Sequence, residues 1–281
     1  MKVGLATKGG ADPGLLERAA VRAEDLGFDS FLVTDHFMIP PSYSNVDAWT
    51  FLPYLAGKTS RIRLGTCVTP LPFRHPAVLA KMVATADVLS GGRMILGSGL
   101  GWSRPEFEAF STWRELPERT SMSREALELM TRLWTSATPV DYAGRFVSVK
   151  GAVVEPKPIQ KPYPSIWFGA MAPQHLELTG KFGQGWIPIG PRWTAAGVVS
   201  PDDYAQMRKV IEVGLSRRSV SSRAFVFSIL IGLSDIATLR SEVERYIQAG
   251  MNYLIVGLPR GADERTLDDL EMVSRDLVPS L

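Results

Sequence analysis

The chain is poor in the groups on which several common chemistries depend. It holds a single cysteine, Cys67, among 281 residues, which excludes an intramolecular disulfide. Its three histidines are His36, His75 and His175, and no His-x-His pattern lies on the first strand, so a histidine-based metal site is disfavoured. Neither sign of charge prevails: 31 Lys and Arg against 29 Asp and Glu leave a formal +2. Without a basic run, nucleic acid is not an expected partner. No apolar stretch approaches the ~20 residues of a membrane-spanning helix. The opening Met1–Gly10 is too briefly apolar for a secretory signal, and a cytoplasmic protein without a membrane partner is expected.

Apolar surface and chain punctuation are abundant. Hydrophobic residues make up 45% and charged residues 21%, enough for a large core and against disorder. Short runs rich in Val, Ile and Phe alternate with longer amphipathic segments, the pattern of parallel strands covered by helices. Strands are predicted near Val3–Thr7, Ser30–Asp35, Ile62–Thr69, Met94–Gly99, Ser165–Ala170, Gly185–Gly190, Ala224–Leu233 and Asn252–Leu258. Between them, Leu15, Leu16, Ala19, Ala20, Ala23 and Leu26 share one helix face, with Gly27 placed for a left-handed cap. Met122, Ala126, Leu129, Met130, Leu133 and Trp134 form a second stripe, and Leu239, Val243, Tyr246 and Ile247 a third. Eight strand–helix units fit a closed (β/α)8 TIM barrel of about 250 residues. An open doubly wound sheet is the weaker alternative, because Gly9–Gly14 lacks the spacing of a dinucleotide loop. Thr135–Pro164, with Tyr142–Phe146 followed by Pro156, Pro158, Pro162 and Pro164, reads as a hairpin and connector inserted between the fourth helix and fifth strand of one domain, 1–281. Pro191–Ser200 is a second irregular stretch.

Barrels build catalysis at the carboxyl ends of their strands. The second strand ends in Thr34-Asp35-His36-Phe37: Asp35 either caps turn amides or joins His36 as a proton-handling or orienting pair. The third ends in Gly65-Thr66-Cys67-Val68-Thr69-Pro70, where an irregularity is expected. Cys67 reads as a small buried hydrophobe rather than a nucleophile. Gly97-Ser98-Gly99-Leu100-Gly101-Trp102 closes the fourth, and Ser103-Arg104-Pro105-Glu106 opens a helix. This is either a tight turn or an anion-holding helix start. Phe168-Gly169-Ala170-Met171-Ala172-Pro173 leads to another helix start able to cradle a phosphate, and Gly257–Gly261 is a lesser candidate. The predicted strands carry no interior lysine for a Schiff base, and carboxylates are scarce at the ends of strands four to eight. A glycine-rich, aromatic mouth with few titratable groups suits a bound organic cofactor that does the redox work.

Leu26-Gly27-Phe28-Asp29-Ser30, Thr34-Asp35-His36-Phe37, Ile62-Arg63-Leu64-Gly65-Thr66, Gly92–Gly97, Gly101-Trp102, Glu106-Phe107-Glu108 and Leu133-Trp134 together resemble the bacterial luciferase-like flavin/deazaflavin superfamily over nearly the whole chain. The Asp–His pair and the glycine-rich strand ends are more similar to the branch using the deazaflavin coenzyme F420 than to FMN-dependent monooxygenases. The resemblance implies that Asp35 contacts the deazaflavin, that His36 orients or handles protons beside its reacting face, and that a non-proline cis peptide at Cys67–Val68 supports the ring. It further implies that Thr69 contacts the cofactor, and that Gly99, Leu100, Gly101 and Trp102 with Gly169, Ala170, Met171 and Ala172 line its ring and phosphate-bearing tail. Related sugar-phosphate dehydrogenases place an acidic glutamate after the fourth-strand glycines, where this chain has Trp102. They also place a lysine after the sixth strand, where it has Ile187–Pro191. Sugar phosphate is therefore disfavoured, and an apolar or aromatic substrate packed against Trp102, Trp49, Phe37 or Trp193 is expected. The implied activity is hydride transfer between deazaflavin C5 and that small-molecule substrate, by a homodimer. An FMN monooxygenase and a non-catalytic flavin-binding protein remain the alternatives.

Overall fold

The computed structural model describes residues 1–8, 10, 12–38, 45–194, 197–259 and 263–277. In chain order the elements are β1 (Lys2–Thr7), α1 (Pro13–Asp25), β2 (Ser30–Val33), α2 (Ala48–Ala56), β3 (Arg63–Thr66), β4 (Thr69–Pro70), α3 (Pro76–Leu89), β5 (Met94–Gly99), α4 (Arg104–Phe110), α5 (Leu116–Thr135), β6 (Val140–Ala143), β7 (Ser148–Ala152), β8 (Ser165–Phe168), α6 (Pro173–Phe182), β9 (Gly185–Trp186), α7 (Pro201–Arg217), β10 (Val226–Gly232), α8 (Ile236–Gln248), β11 (Tyr253–Gly257) and α9 (Glu264–Met272). Nine strands pair side by side in the order β3-β2-β1-β11-β10-β9-β8-β5-β4, and a β3–β5 pairing closes the ring. All these pairings are parallel. Because β3 and β4 are two pieces of one stave, the result is a (β/α)8 barrel of eight staves, as the strand count predicts.

Alternation along each stave sorts the core into two sets. Leu5, Phe31, Leu64, Leu96, Ile166, Ile229, Ile231, Leu254 and Val256 pack outward under the helices. Ala6, Leu32, Ile95, Trp167, Leu230, Tyr253 and Ile255 form a separate inner cluster, joined by Ile187 and Trp193. Gly27 adopts φ 80° directly after α1, as a left-handed cap requires. In α8, Leu239, Val243 and Tyr246 are buried, whereas Ile247 is 39% exposed, so the predicted stripe is one residue too wide.

Predicted strands Ser30–Asp35, Ser165–Ala170, Ala224–Leu233 and Asn252–Leu258 each lose two or three terminal residues, and two further ones change more. The predicted Ile62–Thr69 strand breaks at Cys67-Val68, whose peptide bond is cis. The predicted Gly185–Gly190 strand pairs regularly only through Trp186, because Pro188 has no N–H to donate. Its carbonyl still accepts from Leu230 N at 3.1 Å, and Ile189 bridges Leu230. The predicted insertion contains the antiparallel β6–β7 hairpin. Its connector is pinned to the barrel by Gln160, which donates from N and Nε2 to the buried Asp87 carboxylate at 3.0 and 2.6 Å. Of the loops singled out by sequence, Gly9, Ala11, residues 195–196, Arg260 and Gly261 lie outside the described residues. Among the described residues no helix is long and apolar enough to cross a membrane.

Candidate active site

Four adjacent staves, β2, β3/β4, β5 and β8, bring the expected residues to one sector of the carboxyl rim. The floor is made at the stave break. Cys67 and Val68 are half-buried against the inner cluster, and the Val68 side chain lies between the ends of β5 and β8. A Cβ built on Gly99 would come within 2.4 Å of Val68 Cγ2, and one on Gly169 within 3.2 Å of both Val68 methyls. Only glycine at these two ends lets an apolar side chain lie flat between them. Burial pushes the Cys67 thiol up to about 12, which removes thiolate chemistry.

One wall comes from the turn after β2. The aspartate–histidine pair expected from the sequence is divided by the structure between two different partners. His36 Nδ1 lies 2.8 Å from Glu106 Oε2, in the first turn of α4. The N–H groups of Phe37 and Met38 donate to Glu106 Oε1 at 2.6 and 3.2 Å. Burial works to raise the Glu106 carboxyl, but the hydrogen bond and charge of His36, with the Met38 and Phe37 amides, outweigh it and hold it below the ordinary glutamate value. An acceptor-only carboxylate fixes the Nδ1–H tautomer, leaving Nε2 as the proton acceptor of neutral His36. The rings of His36 and Trp102 meet in a T-shaped contact, with centroids 5.7 Å apart.

Asp35 instead points into a buried network. Its Oδ2 accepts from Thr69 Oγ1 and Arg74 Nη1, both at 2.7 Å, and its Oδ1 from Arg74 Nη2 at 2.8 Å. Arg74 also donates to Asp47 Oδ2 at 3.0 Å and lies over Phe37. Trp49 Nε1 donates to Thr69 Oγ1 at 3.0 Å. Burial pushes the Asp35 carboxyl up against the opposing pull of Arg74 and Thr69. Asp35 and Thr69 thus spend their polar atoms tying β4 to the turn that carries His36.

Leu100, Gly101 and Trp102 follow β5. Gly101 takes φ 75° and sits where a Cβ would meet Phe107 Cε2 at 2.4 Å. The N–H groups of Gly101 and Trp102 have no hydrogen-bond partner among the described residues. At β8, Gly169 N donates to Ser98 O at 2.9 Å, and Trp186 Nε1 donates to Ala170 O at 2.7 Å. Met171 and Ala172 then lead into α6, whose ten residues begin at Pro173. Inside its first turn His175 is buried, with Nε2 unpartnered and its basicity lowered to about 4 by desolvation.

The aromatic residues expected to meet substrate divide sharply. Trp102 is 68% exposed, whereas Trp49 (4%) and Trp193 (7%) are packing residues. Trp193 folds against Gly257, where a Cβ would come within 2.3 Å of its ring, and Lys8 lies over its face at 4.9 Å. Phe37 is half-buried between Phe73 and Phe110. Arg192, beside the position where a phosphate-holding lysine was sought, is turned to Glu242 through two hydrogen bonds of 2.6 and 2.5 Å.

An apolar floor, two amide donors and a histidine ring nitrogen without a hydrogen-bond partner among the described residues fit a flat heteroaromatic ring with an acceptor edge. In the sequence Glu106 belongs to a family-like pattern without an evident role, and nothing there singles out Arg74. The usable signal for Glu106 was an acidic residue in the first turn of a helix that starts just behind a glycine-rich strand end.

Residues 2–271 match the sequence pattern of the luciferase-like monooxygenase family. The chain is 36% identical over 179 residues to the F420-dependent glucose-6-phosphate dehydrogenase of Microbacterium testaceum (strain StLB037), covering 62% of this chain and 52% of that protein. It is 31% identical over 226 residues to the phthiodiolone/phenolphthiodiolone dimycocerosates ketoreductase of Mycobacterium kansasii, covering 73% and 59%. The chain thus spans about half the length of the curated glucose-6-phosphate dehydrogenases it matches. Its fold is similar to that of an F420-dependent secondary alcohol dehydrogenase solved with an F420–acetone adduct, with TM-score 0.84, 21% identity and 97% of each chain covered. It is likewise similar to the coenzyme F420-dependent tetrahydromethanopterin reductase of Methanopyrus kandleri, with TM-score 0.82, 21% identity and 99% of each chain covered.

Proposed function

The chain belongs to the luciferase-like monooxygenase family, and we propose that within it this protein is a coenzyme F420-dependent oxidoreductase acting between an alcohol and a carbonyl group on an apolar substrate. The observation that carries this reading is His36, held by Glu106 through Nδ1 so that Nε2 is its remaining ring nitrogen, with its ring in contact with the exposed Trp102. Dehydrogenase and ketoreductase, the activities named for the two relatives, both interconvert C–OH and C=O and so need a group that takes or returns the hydroxyl proton.

When bound, the deazaflavin supplies at C5 the carbon that takes or gives the hydride. Val68, between Gly99 and Gly169, would support its ring, and the Gly101 and Trp102 amides would serve as donors to its acceptor edge. The amides of Ala170, Met171 and Ala172, at the start of α6, suit the phosphate of its tail. The buried, uncharged His175 adds no positive charge there. His36 Nε2 accepts the hydroxyl proton as an alcohol is oxidised and returns it as a carbonyl is reduced. Asp35, Arg74 and Thr69 hold the turn in register and position His36 without touching the reacting atoms. Trp102 supplies an apolar face to the substrate, and Arg192, engaged by Glu242, is not available to grip a phosphate.

Titration with F420 and with FMN, followed by quenching of tryptophan fluorescence, tests the cofactor. Tighter binding of F420 is expected, and the reverse order would transfer the protein to flavin monooxygenase chemistry. Bleaching of the F420 absorbance with apolar secondary alcohols, and not with sugar phosphates, is the expected substrate pattern. Binding without turnover across alcohols, aldehydes and ketones would refute catalysis in favour of cofactor storage.

A further inference from the structure

Arg119 is a buried cation that the reading above does not use. It stands in the first turns of α5, behind the Leu100–Trp102 loop, and among the described residues no carboxylate lies within ion-pair distance of it. Its guanidinium is spent on main-chain carbonyls. Nη1 donates to Leu100 O at 3.1 Å and also to Gly101 O, and Nε donates to Arg114 O at 2.9 Å. Its flat face lies over Trp113, 4.3 Å from the ring centroid. The other charged groups around the loop are already engaged: Glu106 with His36, Arg104 with Glu108, and Glu115 with Trp113 Nε1.

A trans peptide is planar, with its N–H antiparallel to its C=O. Drawing the Leu100 and Gly101 carbonyls toward Arg119 therefore turns the Gly101 and Trp102 N–H groups to the opposite side of the loop, and neither amide has a hydrogen-bond partner among the described residues. A cation bonded to the carbonyl end of a peptide also polarises its N–H and strengthens it as a donor.

We infer that Arg119 is a positioning residue that sets and polarises the Gly101 and Trp102 amides as a donor pair for the pyrimidine carbonyl edge of the deazaflavin. This rests on the F420 reading and deepens it. The deazaflavin ring carries an acidic hydroxyl, and on deprotonation its negative charge is shared by conjugation with the pyrimidine oxygens. Donors and a fixed cation at that edge favour the anionic ring and lower the pH at which it titrates. A residue that merely held the loop in shape would change affinity and melting temperature without moving this titration.

The test is the pH profile of the visible absorbance of F420 bound to the wild-type protein and to Arg119→Met, Arg119→Gln and Arg119→Lys, with affinities from tryptophan quenching. Arg119→Met is expected to raise the transition of the bound ring by about one pH unit, a tenfold change in its acid dissociation. Arg119→Gln keeps a donor for one carbonyl but no charge, so it should shift the same way even if the methionine variant does not fold. Arg119→Lys is expected to stay close to wild type. A transition that stays put in Arg119→Gln while F420 remains bound overturns the role of Arg119 alone. Failure of the wild-type protein to bind F420 overturns the cofactor assignment with it.

Discussion

Replacing Glu106 by Gln tests the polarity of the site at one atom. The carboxylate serves three donors: Phe37 N and Met38 N at Oε1, and His36 Nδ1 at Oε2. Gln has the same shape but only one acceptor oxygen. Turning that oxygen toward His36 would strand two partly buried backbone N–H groups, at up to about 1–3 kcal/mol each. The oxygen therefore stays with Phe37 and Met38, and the NH2 group faces Nδ1. His36 then keeps a hydrogen bond only as the Nε2–H tautomer, so its outward nitrogen changes from acceptor to donor. A charge-assisted bond of about 1.5–3 kcal/mol favours Nδ1–H in the wild type, and its loss should invert the tautomer ratio by tenfold or more. Turnover is expected to fall by about 10²–10⁴, the range of general base catalysis, while F420 affinity changes little. Long-range ¹H–¹⁵N correlation spectra report the tautomer of each of the three histidines without any substrate. If His36 in Glu106→Gln still carries its proton on Nδ1, or turnover is unchanged, the assignment of Nε2 as proton acceptor is wrong.

Gly99→Ala places a methyl 2.4 Å from Val68 Cγ2 and should weaken F420 binding at least tenfold by fluorescence titration; Val68→Ala in the same chain should recover most of the loss. Trp102→Ala should leave melting temperature and F420 affinity nearly unchanged, because the ring is exposed, yet raise KM for apolar substrates several-fold; equal KM values would remove Trp102 from the substrate surface. Glu24 tests the fold rather than the site. Its carboxylate accepts from the N–H groups of Ser60, Arg61 and Ile62. Partial burial opposes ionisation, but these amides prevail and lower its pKa to about 2. A lowered folded-state value means stability fully present above the unfolded value near 4.5 and lost as pH falls toward 2. After allowance for solvent screening this amounts to roughly 1–2 kcal/mol. Thermal melts should show Glu24→Ala less stable by that amount at pH 7, with the gap closing below pH 4; a constant gap would contradict the linkage.

The staves were legible because their periodicity is local: alternating apolar residues declare a strand wherever they occur, and all eight predicted strands correspond to barrel staves. The shortening of the sixth stave was also written locally, in Pro188, although only the neighbouring β10 shows which bond goes unmade. Side-chain partnership was not legible. Asp35 and His36 are adjacent in sequence and suggest a pair, yet alternate residues of an irregular turn face different ways, and their partners stand 39 and 70 residues away. Residue type alone also failed to tell Trp102 from Trp193. Both follow strand ends, but Trp102 is left exposed whereas Trp193 packs against Gly257 at the end of β11. The cis bond at Cys67–Val68 was accessible only through resemblance, since no local rule singles out that dipeptide.

The inner cluster has a bearing on traffic. Beneath Val68 the lumen is filled by Ile95, Trp167, Leu230, Tyr253 and Ile255, all nearly or wholly buried, so among the described residues the cylinder is stoppered from below and traffic runs through the carboxyl rim. Whatever enters over Trp102 must leave the same way, and a departing product occupies the threshold that the next reactant needs. Product is thus expected to act as a competitive inhibitor toward its own precursor.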